Sequence, residues 1–148
     1  MKIKMITIKN FRQFWTETTL NFSCSPAKNV TVIHGANGSG KTSLLNAFKW
    51  CFYGKTDFDT GTENILNEAA IQSATTGQEI ELIISVIFEQ DGCNYDVIRK
   101  AIFRKLPNNE VEDLKTIEFK IQKTMGSGET ITIDTPDSEI NKVLPEGL

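Results

Sequence analysis

The eight residues Gly35-Ala36-Asn37-Gly38-Ser39-Gly40-Lys41-Thr42 constrain the fold more than any other part of the chain. They satisfy G-x-x-x-x-G-K-[ST], a loop whose backbone N–H groups curl around phosphate oxygens. Glycine makes the curl possible, because without a Cβ the backbone reaches angles that other residues avoid. Lys41 brings a flexible point charge to β- and γ-phosphates, and the Thr42 hydroxyl can ligate Mg²⁺. Such a loop needs a strand before it and a helix after it. Val30-Thr31-Val32-Ile33 is a β-branched run that predicts a short, buried, parallel strand. Leu44, Leu45, Phe48, Cys51 and Phe52 recur at helical spacing and predict one apolar helix face, with Gly54 as its stop. The helix N-terminus then points at the phosphates and adds its partial positive charge to that of Lys41. A glycine-rich turn with an incidental lysine is the competing account, and both flanks weigh against it.

At 148 residues the chain suits one domain, 1–148, able to bury a core. Its 39% hydrophobic and 24% charged content is that of a globular protein and argues against wholesale disorder. No apolar run approaches the ~20 residues of a membrane span, and Met1-Lys2-Ile3-Lys4 lacks a signal-peptide core. Cys24, Cys51 and Cys93 are odd in number and widely spaced, which fits reduced thiols in a cytoplasmic protein better than a zinc site. The net charge of −3 hides an asymmetry: residues 1–60 hold eight Lys/Arg against three Asp/Glu, and residues 61–148 hold eight against sixteen. A basic half around a phosphate loop is electrostatically sensible. No dense basic cluster with interleaved aromatics is present, so a strong nucleic-acid patch is not expected within this chain.

Lys2 to Lys9 reads as a first strand and Thr18 to Phe22 as its hairpin partner. Ser25 to Asn29 is turn chemistry, and a polar loop from Lys55 to Glu63 precedes a short helix around Ile65 to Ala74. Glu79 to Glu89 and Cys93 to Arg104 flank an Asp91-Gly92 hairpin turn. Leu114 to Lys123 then places Ile117, Phe119 and Ile121 on one face, Gly126-Ser127-Gly128 turns, Thr130 to Ile133 returns, and Ser138 to Leu144 reads as a brief helix. A nucleotide-binding strand–loop–helix region (1–55) is thus followed by an antiparallel β region (79–134). A doubly wound fold would alternate βαβα after its phosphate loop. The fold class expected is instead α/β, a P-loop NTPase of the ABC-type ATPase half-head kind, with a parallel core beside an antiparallel β-meander.

Ile8-Lys9-Asn10-Phe11-Arg12, the run from Gly35 to Ala47 and Tyr53-Gly54 resemble the N-terminal half of an SMC-like ATPase head, shared by RecF, RecN, SMC proteins and the double-strand-break repair ATPases. Leu45-Asn46-Ala47-Phe48 and Val143-Leu144-Pro145 are most similar to the ATPase of Dnd-type DNA phosphorothioation systems. The strong match covers roughly the first 55 residues. The resemblance implies ATP and Mg²⁺ as cofactors, with Lys41 as the catalytic cation and Thr42 as metal ligand. It also implies a phosphate cradle of Asn37, Gly38, Ser39, Gly40, Lys41, Thr42 and Ser43, with Arg12 reaching phosphate or ribose. The partners implied are the protein's own C-terminal lobe, a second head in an ATP-dependent dimer, and DNA through the full assembly.

Hydrolysis also requires an acidic metal ligand and a group that orients water. Ile83 to Asp91 superficially offers hydrophobics followed by acids, but it ends in a hairpin turn and reads as a decoy. Gly126-Ser127-Gly128-Glu129 imitates a signature motif and reads as a turn. No coiled-coil heptads occur. The expectation is an ATP-binding lobe with negligible turnover alone. One alternative is a self-contained phosphotransferase using Glu89 or Asp91 as its metal carboxylate; another is a nucleotide-switched binding module. His34, beside the loop, is expected to pack, as are Phe14 and Trp15, although either aromatic has the shape to stack on adenine.

Overall fold

Alternation at every second residue builds the largest piece of the molecule. In this computed structural model, which describes residues 1–58 and 65–144 (Thr116 by backbone alone), Glu79–Gln90 (β3) and Cys93–Lys105 (β4) form one long hairpin. Its turn places Asp91 at φ 51° and Gly92 at φ 74°, the two left-handed residues that a tight two-residue connection requires. Ile80, Leu82, Ile84, Val86 and Phe88 of β3 point inward with Tyr95, Val97, Ala101 and Phe103 of β4. Glu79, Glu81 and Glu89 alternate to the other face, where Lys100 pairs with Glu81 and Lys4 lies 2.9 Å from Glu89.

Lys2–Lys9 (β1), Thr18–Asn21 (β2), Val111–Thr124 (β5) and Thr130–Thr132 (β6) complete a six-stranded sheet in the order β2-β1-β3-β4-β5-β6. Every pairing among the described residues is antiparallel. One helix, Lys41–Tyr53 (α1), lies on the inner face and buries Leu44, Ala47, Trp50, Cys51 and Phe52. Phe52 meets Phe88 edge-on at 5.9 Å, and Phe88 stacks on Tyr95 at 4.9 Å. Glu68–Ser73 (α2) is capped by Asn67, whose side chain accepts the Ala70 N–H at 3.0 Å. Pro136–Val143 (α3) buries Ile140, and the Tyr53 hydroxyl donates to the Leu144 carbonyl at 3.2 Å.

The six strands of the sheet and helices α1, α2 and α3 overlap the segments that the sequence pattern sets, with ends displaced by up to three residues. Four local expectations do not hold. Val30 to Ile33 forms no strand, and Val30, Val32 and Ile33 are 75%, 83% and 48% exposed. A β-branched run becomes a strand only when a neighbour takes its backbone hydrogen bonds, and none of the described strands lies alongside it. The parallel part of the expected core is therefore unpaired, while the meander is complete. Leu45 is exposed and Trp50 buried, so the apolar face of α1 is centred on Leu44, Ala47 and Cys51. His34 and Trp15 are exposed rather than packed, whereas Phe14 does pack against the core. Ile117, Phe119 and Ile121 do share one face of β5, opposite Ala101, Arg99 and Val97 of β4, although Ile117 is exposed. Pro145 and the end of the polar loop (59–63) lie outside the described residues.

Candidate functional site

The phosphate-loop sequence adopts a turn, with Ser39 N donating to the Ala36 carbonyl at 3.2 Å and Gly38 at φ 81°. Gly40, at φ 93°, is the N-cap of α1 and supplies no side chain to its first-turn N–H groups. Those donors, together with the loop's backbone, form the kind of positive helix end that suits a phosphate. The loop is also crowded where it must bend: a Cβ on Gly35 would sit 2.4 Å from Ser39 Oγ, whereas the space around Gly38 is open. Lys41 arches back over the turn, and its Nζ donates to the Gly35 and Ala36 carbonyls at 2.7 and 2.8 Å. An ammonium held by two neutral carbonyls gains from exchanging them for an anion. Thr42 and Lys41 are exposed and Ser43 is buried. The chemistry of this donor set fits a nucleotide's phosphates, with the Thr42 hydroxyl on the exposed side where a hard cation would accompany them.

Arg12 belongs to a separate turn held beside the loop. Asn10 and Arg12 both take left-handed angles, φ 58° and 49°, and the turn closes through Phe11 N to the Phe14 carbonyl at 2.9 Å. Backbone bonds pin it from below: Arg12 N donates to the Ile65 carbonyl at 2.8 Å, and Asn67 N donates to the Asn10 carbonyl at 3.0 Å. The Asn67 side chain also donates to the Arg12 carbonyl, and the Asn10 side chain donates to the Glu81 carbonyl at 2.8 Å. The Arg12 guanidinium stands over the Phe58 ring, 4.6 Å from its centroid. A shallow cleft of about 450 Å³ opens beside Arg12, Gln13 and Asn67.

Four contacts that sequence reasoning missed join these parts. The Ser43 hydroxyl donates to the Gln13 side-chain carbonyl. Buried Asn46 accepts the Asp57 N–H at 2.6 Å, while its amide donates to the Thr42 carbonyl at 3.0 Å. Lys49 pairs with the Asp57 carboxylate. The only available signal was Asn46 itself, a polar residue on the buried side of an apolar helix.

The far end of α1 is fixed by Arg99, buried on the inner face of β4. Its Nε donates to the Cys51 carbonyl at 2.9 Å and its Nη2 to the Phe52 carbonyl at 3.3 Å, satisfying acceptors that a helix C-terminus leaves open. The guanidinium also covers the Phe119 ring at 3.7 Å. Burial holds its pKa below the ordinary arginine value, opposed by Cys51 and Asp137. Burial also pushes the Cys51 thiol up to about 12, against the pull of Arg99, so that sulfur is inert. Glu89 and Asp91 are not part of the arrangement. Glu89 lies on the sheet face opposite α1, where the hydrogen bond and charge of Lys4 hold its carboxyl below the usual range, and Asp91 is at the hairpin tip. Gly126 to Glu129 is a turn closed by Met125 N donating to the Glu129 carbonyl at 2.8 Å.

Comparison with known proteins decides the class, because the AAA domain family matches residues 5–146, nearly the whole chain. The chain belongs to that family. Within it the relatives are consistent. The DNA double-strand break repair Rad50 ATPase of Halobacterium salinarum is 35% identical over 100 residues, covering 68% of this chain and 10% of that protein. The DNA replication and repair protein RecF of Chlorobaculum parvum is 38% identical over 96 residues, covering 60% of this chain and 24% of its own length. The chromosome partition protein Smc of Mycobacterium leprae is 32% identical over 88 residues, covering 57% of this chain and 7% of that one. A solved structure from work on ATP-driven dimerization and DNA-stimulated activation of SMC ATPases superposes with a TM-score of 0.53 at 16% identity, covering 97% of this chain and 78% of its own. The fold is that of an SMC-like, ABC-type P-loop ATPase lobe. The chain spans about a tenth of its Rad50 relative and about a quarter of its RecF relative.

Proposed function

We propose that residues 1–148 are a single N-terminal lobe that binds ATP for an SMC-like ATPase acting on DNA. The observation that carries this reading is the glycine-capped N-terminus of α1, with Lys41 folded over the turn and held only by neutral carbonyls among its described partners. Asn37 to Ser43 cradle the phosphates, Lys41 neutralises their charge, and Arg12 reaches in from its neighbouring turn. Thr42 holds Mg²⁺, which when bound supplies the divalent charge that phosphoryl transfer needs. The second observation in favour is the exposed Val30-Thr31-Val32-Ile33 run, β-branched throughout like a strand that belongs between two others.

On this reading a C-terminal lobe supplies those neighbours, the acidic metal ligand and the water-orienting group, and a second head closes over the nucleotide. DNA is engaged by that assembly, in the cytoplasm. Leu45-Asn46-Ala47-Phe48 favours a Dnd-type DNA phosphorothioation ATPase within the class. Among the described residues no helix is long and apolar enough to cross a membrane.

Titrating the purified protein with a fluorescent ATP analogue and Mg²⁺ tests the proposal. Saturable binding is expected, with at least a tenfold loss in Lys41→Ala and negligible phosphate release. Turnover on the order of 1 s⁻¹ by this chain alone would overturn the divided-site reading, because typical complete enzymes work at that rate or above.

A further inference from the structure

Resting on that reading, we infer that Gln13 is a positioning residue, which α1 uses to hold Arg12 at the phosphate loop. Gln13 is exposed and follows Arg12 in the turn from Asn10 to Trp15. Its side-chain carbonyl accepts the hydroxyl of Ser43, in the first turn of α1, and the same carbonyl oxygen lies 3.9 Å from where a Cβ on Gly40 would stand. Arg12 is thus one residue, about 3.8 Å along the backbone, from a side chain seated against the loop.

The turn below Arg12 is fastened to residues 65–67 by backbone hydrogen bonds, which set its shape but not its distance from α1. Gln13 sets that distance. A second tether runs from Asn46, three residues after Ser43 on the same helix face: it fixes Asp57, and next to Asp57 the Phe58 ring lies under the guanidinium. Arg12 is therefore indexed to the phosphate-loop helix from both sides. Removing Gln13's acceptor leaves the turn folded while allowing Arg12 to drift, and such a displacement costs binding without touching the ligand.

The experiment is a double-mutant cycle on ATP affinity with Gln13→Met, which keeps the side chain's length and removes its acceptor, and Arg12→Ala. Gln13 is exposed but serves the buried Ser43 hydroxyl, so melting temperatures of the variants should fall by a few degrees at most, with the protein fully folded at the temperature of the binding assay. Gln13→Met should weaken ATP binding about fivefold, the worth of one hydrogen bond of about 1 kcal/mol. In the Arg12→Ala background the same change should alter affinity less than twofold, which a purely structural role or direct ligand contact would not produce. Undiminished affinity in Gln13→Met, or a full fivefold loss that persists without Arg12, overturns the inference while leaving ATP binding intact. Failure of the wild-type protein to bind ATP overturns the proposed function and this inference with it.

Discussion

Arg99 shows how a single buried charge is justified by geometry rather than by its ion pair. Its side chain is 7% exposed and satisfies two carbonyls at the end of α1, whereas Asp137, 3.9 Å away, is 80% exposed. Surface-screened pairs contribute about 0–1 kcal/mol, but stripping a buried acceptor of its donor costs about 1–3 kcal/mol. Arg99→Met is therefore expected to destabilise the protein by about 2–4 kcal/mol, and Asp137→Asn by less than about 0.5 kcal/mol, in equilibrium urea denaturation. Equal effects from the two would transfer the credit to the ion pair. Lys105 repeats the device on the same face of β4, donating to the Ile71 carbonyl of α2 at 2.8 Å. The alternation of β4 marks both cations as inward-facing. Which helix carbonyls they satisfy could not be read, because those carbonyls are 34 or more residues away.

At the scale of elements, α1 was the most legible piece, since its period, its glycine start and its glycine stop are all local signals. Gly54 ends it at φ 67°, donating to the Trp50 carbonyl, and a Cβ there would lie 3.2 Å from Arg99 Nη1. Backbone strain and that approach act together, so Gly54→Ala should cost about 1–2 kcal/mol in the same denaturation experiment. A neutral result would mean Arg99 gives way without losing its hydrogen bonds. β3 and β4 were equally legible, because their period of two needs only a core on one side. Leu45 was misassigned for a related reason. The helical period admits it to the apolar stripe, and only the position of the sheet relative to α1 excludes it. The turn at Asn10 to Trp15 is attached to Asn67, Ser43 and Phe58 across 30 to 57 residues of chain, which left no local trace.

For the whole molecule, the unpaired run from Val30 to Ile33 is the part with consequences beyond this chain. Replacing both Val30 and Val32 by Asp should leave the urea midpoint of residues 1–148 within the equivalent of about 0.5 kcal/mol, because neither side chain is buried. The same variant should fail to co-purify with a C-terminal lobe supplied in trans. A large drop in the midpoint would instead make these valines part of the lobe's own core. The sequence by itself determined that a phosphate loop opens a helix, that an antiparallel meander follows, and that no doubly wound sheet is present, since each depends on period and turn chemistry within about 30 residues. Only the tertiary structure decided that the β-branched run before the loop finds no partner among the described strands, that Glu89 faces away from α1, and that Gln13, Asn46 and Arg99 fasten that helix in place. Those outcomes depend on which surfaces meet in space, and a strand's pattern states that it wants neighbours without stating whether this chain provides them.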